Sequence, residues 1–169
     1  MGLAPGAYRL FDLLEAETGQ LAKRIVAGLR SMDDEGSPYA GLPAEELQAV
    51  IEGGIVLALR AVREERPPTE EELTLAAAIA EQRAEQGFDS EAVLHGVRVG
   101  VREAFVAIPD LAGEADVDVH TAIELTTALW DWVDVVSVEI TRAHREVELD
   151  AARRDEQQRG ALLHGLVFG

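Results

Sequence analysis

Between Asp118 and Arg159 the chain has neither glycine nor proline, and this uninterrupted stretch limits the possible folds more than any other feature. Its middle, Leu129 to Ile140 (LWDWVDVVSVEI), is rich enough in β-branched residues to suggest a strand. The spacing says helix. Ile123, Trp130, Val133, Ser137, Ile140, His144 and Val147 recur at intervals of seven, three, four, three, four and three, which is a helical stripe and not a two-residue alternation. Valine and isoleucine lower helix propensity by roughly a few tenths of a kcal/mol per residue relative to alanine, so packing must hold this element. A second stripe, Leu125, Leu129, Trp132 and Val136, needs cover on another side, leaving only a narrow polar strip near Asp131 and Asp134. The pattern predicts one side packed on the same chain and the other on a second copy through Leu129, Trp132, Val136 and Ile140, since two-fold homodimers are the commonest soluble assembly. A central helix wrapped wholly by its own chain is the alternative.

The segments before it also read as helices. Leu10, Leu14, Leu21, Ile25, Leu29 and Met32 mark a first amphipathic helix over about 8–32. The Asp33 to Pro38 cluster breaks it, and Pro43 opens a second helix to about Glu65. After Pro67-Pro68, Thr69-Glu70-Glu71-Glu72 has the form of a capping box, with the Thr69 hydroxyl accepting from the Glu72 N–H while the Glu72 carboxylate reaches back. Helix three ends at Gly87. Asp89 caps a fourth helix carrying Leu94, Val97, Val101, Phe105 and Ile108 and ending at Pro109, and a loop over 110–116 leads to Asp118, the cap of the fifth. The expected fold is all-α: a single-domain bundle of about five to six helices with a long C-terminal helix, residues 1–141 forming the domain and 142–169 a connecting helix and tail. From Arg142 to Arg159 (RAHREVELDAARRDEQQR) the chain is nearly all polar and made of good helix formers. Leu162, Leu163, Leu166, Val167 and Phe168 then make an apolar tail that expects a docking partner.

Charge narrows the possible partners. With 32 acidic against 15 basic residues the formal charge is −17, which repels nucleic acid and anionic membrane surfaces. No cysteine is present, so disulfides, thiolate metal sites and cysteine nucleophiles are excluded. The N-terminus lacks the pattern of a signal peptide and no uncharged stretch is long enough to span a bilayer, so a cytoplasmic location is expected.

Several motifs in order carry a family resemblance. Arg83-Ala84-Glu85-Gln86-Gly87, then Leu94, Arg98 and Gly100, then Leu129-Trp130-Asp131-Trp132-Val133-Asp134-Val135-Val136-Ser137, and finally Ala143-His144-Arg145-Glu146-Val147-Glu148 running into Arg159-Gly160-Ala161-Leu162-Leu163-His164-Gly165-Leu166, resemble the N-terminal domain of actinobacterial PucR/CdaR-type transcriptional regulators. The same module is similar to the N-terminal domain of RsbR-type co-antagonists of the stress-signalling complex, whose bundles look globin-like without haem. The resemblance implies a sensory or dimerising domain preceding a downstream effector domain of the same chain. Where the family usually has an aromatic residue before the helix-four arginine, this sequence has Val97.

The candidate chemistry is sparse. His95, His120, His144 and His164 form no i, i+3 or i, i+4 pair with one another, so surface or packing roles are expected, with a lone axial haem ligand as the alternative. Asp131 and Asp134 could share a proton or a cation, or simply pair with Arg98 or Arg102. No nucleophile elbow, P-loop or dinucleotide fingerprint is present. Neither enzyme activity nor a cofactor or metal is expected. Gly96 and Gly100 imply a close helix crossing or room for a ligand. A small apolar effector between helices four and five would touch Val97, Val101, Phe105, Trp130 and Val133.

Overall fold

The computed structural model describes residues 5–31 and 37–168, with backbone alone for Pro5 and for 163–168. It is all-α, with helices α1 Pro5–Arg30, α2 Ala44–Arg63, α3 Glu70–Glu85, α4 Ser90–Glu114 and α5 Val119–Phe168, and a short 3₁₀ turn over Pro38–Gly41. Met32, the Asp33 to Gly36 part of the breaker cluster, and the side chains of the apolar tail beyond Leu162 lie outside the described residues. Among the described residues no helix is long and apolar enough to cross a membrane.

The helix starts follow local chemistry. Thr69 Oγ1 accepts from Glu72 N at 3.2 Å while Glu72 Oε2 accepts from Thr69 N at 2.9 Å, the reciprocal pair that satisfies two free donors of a helix N-terminus. Asp89 accepts from Ala92 N at 2.7 Å and Asp118 from Thr121 N at 3.1 Å. Helix α3 stops because Gly87 takes φ +86°, which lets Phe88 N donate to Arg83 O at 3.0 Å and close the last turn.

Two apolar cores share the same helices. One joins Leu10, Phe11 and Leu14 of α1 to Leu59 and Val62 of α2, Ile108 and Leu111 of α4, and Leu125 and Leu129 of α5. The other gathers Leu21, Ile25 and Leu29 of α1 with Tyr39, Leu47, Phe88, Val93 and Val99. Helix α3 meets α5 through Ala77, Ala80 and Ala143, side chains small enough for the backbones to approach closely.

Three expectations need correction. Helix α4 continues through Pro109 to Glu114, because Ile108, Leu111 and Ala112 on either side of the proline are buried and their packing outweighs the one backbone hydrogen bond that proline removes. The expected 110–116 loop shrinks to the turn at Asp116, where φ is +51°. On α5 the second stripe is the one covered by its own chain, and the first divides, with His144 buried and Ile123 and Trp130 exposed. Leu125, Leu129 and Val136 are buried by their own chain, Trp132 packs on the first core and Ile140 on the second. Leu129 and Val136 are therefore closed to a second copy, and the outward side carries Ile123, Trp130 and Val138, at 57%, 49% and 67% exposure.

Candidate functional site

Helix α2 packs on α1 and α5 and has little direct contact with α3 or α4. That gap is a cavity of about 620 Å³, within the roughly 300–1,000 Å³ common for small-molecule sites. Its α4 wall is Val93, Gly96, Val97, Gly100, Val101, Ala104, Phe105 and Ile108, and its α5 wall is Leu129, Trp130, Trp132, Val133, Val136 and Ile140. Val97, Val101, Phe105, Trp130 and Val133, the residues expected around an apolar effector, all line it. Val136, Ile140, Leu129 and Trp132, expected at a dimer contact, line it too. Phe105 and Trp130 lie with ring centroids 6.1 Å apart and planes tilted by 51°, and both are partly open to solvent.

The α2 wall includes Ala49, Val50, Gly53, Gly54 and Leu57. A Cβ built on Gly53 or Gly54 would meet nothing within 4 Å. No close crossing requires these glycines, although each costs about 1 kcal/mol in a helix interior. Gly96 is the opposite case: a Cβ there would stand 2.6 Å from Tyr39 Oη. What crowds Gly96 is a tyrosine ring from the 3₁₀ turn and not the close helix crossing expected of the Gly96–Gly100 pair, and a Cβ on Gly100 would meet Ile25 Cδ1 at an ordinary 3.9 Å.

The wall has few charged groups, and its two, Glu72 and Arg83, stand at opposite ends of α3, about 16 Å apart at 1.5 Å per residue. Glu72 accepts from Arg66 Nη1 and Nη2, both at 2.9 Å, and Arg66 holds its carboxyl below the usual carboxylate range. Tyr39 donates to Ala92 O at 3.1 Å and stacks edge-on with Phe88, and burial pushes its hydroxyl up to about 12 against the opposing charge of Arg83. Arg83 is only 3% exposed. Its Nη1 donates to Gln86 Oε1 at 2.6 Å and reaches Glu46 Oε1 at 3.4 Å, and the guanidinium carbon sits 5.8 Å from the Phe88 ring centre. Trp132 Nε1 is buried with no acceptor among the described residues.

The sequence analysis gave Arg83 no role beyond a place in a motif. The available signal was its position on one stripe of α3 with Glu72, Ala76 and Ile79, at intervals of four, three and four, all of which line the cavity.

The remaining candidates do not form a catalytic group. Asp131 and Asp134 are exposed and pair with neither Arg98 nor Arg102, which bonds Glu103 instead. His120 is exposed beside Glu124. His144 is 1% exposed and lies 2.7 Å from Phe88 O through Nε2, tying α5 to the α3–α4 turn. The side chain of His164 lies outside the described residues. Among the described residues no group of three His, Asp or Glu side chains could hold a metal ion.

A family model described as the RsbT co-antagonist protein rsbRD N-terminal domain matches residues 19–159. No curated protein and no solved structure matches the chain.

Proposed function

We propose, from the premise that this chain belongs to the family of RsbT co-antagonist rsbRD N-terminal domains, that it is a non-enzymatic signal-input domain whose cavity biases the long helix α5. The single observation that carries this reading is the continuity of α5: the helix that lines the cavity from Leu129 to Ile140 runs on without a break past His144 to Phe168. After His144 every described side chain of α5 is exposed except the half-buried Val147, so a shift of the cavity wall is delivered to a free rod and on to an effector domain of the same chain. A cavity occupant acts only by favouring one of two placements of that helix. The setting of a transcriptional regulator of PucR type rests on the residue resemblance alone, and the relay would serve it equally well.

The reading includes a symmetric dimer. Its contact uses the outward side of α5, Ile123, Trp130 and Val138, with Phe105 and Val106 of α4 beside it, all exposed apolar side chains.

Because the chain has no cysteine, Arg153→Cys supplies a unique spin-label site about 20 Å along the helix from Ile140. Gly54→Phe adds a ring to the α2 wall and needs no ligand. The relay predicts one interlabel distance in the dimer, shifted by Gly54→Phe. An unchanged distance with the fold intact would sink it, and Trp130→Glu is expected to yield a folded monomer by light scattering.

A further inference from the structure

We propose that the cavity takes an unbranched amphiphile with a carboxylate head, the head on Arg83 and the tail along α4 toward Phe105 and Trp130. This rests on the reading of the cavity as the input site and names the ligand class that would fill it.

Shape is the first argument. The lining runs along α4 from Val93 to Ile108, about 22 Å at 1.5 Å per residue, with apolar or glycine residues at every α4 position that contributes. A slot of that length and character suits a methylene chain better than a compact polar metabolite.

Arg83 supplies the second. A guanidinium carries five N–H donors in a planar fork. Here only Nη1 is engaged, by a neutral amide and by one longer carboxylate contact. Among the described residues the Arg83 hydrogen bonds all run from Nη1, and Nε and Nη2 are not among the fully buried polar atoms that lack a partner, so this edge of a side chain 4% exposed meets the open space of the cavity it lines. That free edge has the spacing of the two oxygens of a carboxylate, the bidentate pairing that arginine makes and lysine does not. A buried cation with an incomplete partner is costly, and an incoming monoanion completes it. The carboxylate of the wall itself, Glu72, lies three turns away on α3 and is already held by Arg66 through both oxygens. One buried cation in a chain of charge −17 also favours a monoanion over a dianionic head.

The chain contains only two tryptophans, and both line the cavity, so their emission reports the tail. Dodecanoate, titrated below its micelle concentration into the full chain, is expected to change that emission saturably and to bind about tenfold or more tightly than dodecan-1-ol, the worth of a charge-assisted hydrogen bond. Dodecyltrimethylammonium should bind more weakly than the alcohol. Arg83→Gln should bring acid and alcohol to parity while the helical circular dichroism is kept. The acid–alcohol comparison in the unaltered chain needs no variant, so it decides the matter even if Arg83→Gln does not fold. Equal affinity for acid and alcohol would overturn the head-group assignment. No saturable response to either would overturn the ligand class, and would leave the relay to the spin-label distances, which need no ligand.

Discussion

The α4 and α2 walls of the cavity face each other across the same space and are held very differently. Helix α4 packs on both α1 and α5 and is closely approached in two places: a Cβ on Gly96 would strike Tyr39, and Gly28 of α1 lies against it with Val99 Cγ1 3.1 Å from where its own Cβ would be. Helix α2 is buried at both ends, at Leu47 near its start and at Ala58, Leu59, Ala61 and Val62 near its finish. Its middle carries two adjacent glycines with nothing near them. The contrast teaches that one cavity can be bounded by a helix whose glycine is filled by a neighbouring ring and by another whose glycines stand beside open space. α4 is the more closely packed wall, and α2 is the wall with room beside its glycines.

The largest effect should come from the closely packed wall. Ile108 is 1% exposed and joins α4 to the first core. Ile108→Ala is expected to cost about 2–5 kcal/mol in denaturant unfolding, whereas Val56→Ala on the outside of α2, a residue 41% exposed, should stay within about 0.5 kcal/mol. Similar losses at the two positions would mean that α2 is as firmly set as α4.

Next in size is Gly96→Ala. Tyr39 is pinned by its bond to Ala92 O and its edge-on contact with Phe88, so a methyl group 2.6 Å from Oη and 3.2 Å from Cζ must displace a buried ring. Overpacking of that kind costs about 1–3 kcal/mol, and removing the hydroxyl in a Tyr39→Phe background should return part of it in a double-mutant cycle. Gly54→Ala, by contrast, should stabilise the chain by about 1 kcal/mol, the helix-propensity gain with no steric charge against it. Opposite signs at two helical glycines are the sharpest form of the difference between the walls.

Much of this was legible before any coordinates. The caps at Thr69, Asp89 and Asp118 and the breaks at Pro67-Pro68 and Gly87 act within a few residues, so the sequence places them well. The seven-three-four spacing of α5 likewise settles helix over strand. Which of its two apolar stripes turns inward does not follow from periodicity, because both are greasy and the choice depends on what α1, α3 and α4 present from far along the chain. Leu129 and Val136 therefore look as available to a second copy as Ile123 and Trp130 do. The α4–α5 part of the cavity was readable from Val97, Val101, Phe105, Trp130 and Val133, since large apolar residues on adjacent helices tend to face one another. Its α2 wall was not, because two glycines leave no side-chain signal. Arg83 was hidden for another reason. In the run AEQRAEQ its neighbours make it look like one more solvated charge, and only its register with Glu72, Ala76 and Ile79 betrays an inward position.

The smallest expected effect concerns α3, a third wall of the cavity. Glu72 anchors its first turn through the capping box and through both Arg66 nitrogens. The Arg66 guanidinium, more than any other group, holds the Glu72 carboxyl below its ordinary range. A carboxyl depressed in the fold contributes stability that is present above its unfolded pKa and lost as pH falls through the lower folded value. Glu72→Gln should therefore cost about 1 kcal/mol at neutral pH, and the difference from the unaltered chain should shrink as the pH is lowered below the usual carboxylate range. Arg66 is partly exposed, so solvent and salt screening keep the effect small. Denaturation midpoints at neutral and acid pH, compared for the two chains, measure it. A gap that stays constant with pH would mean that ionisation of Glu72, and so its pairing with Arg66, is not what the substitution removes.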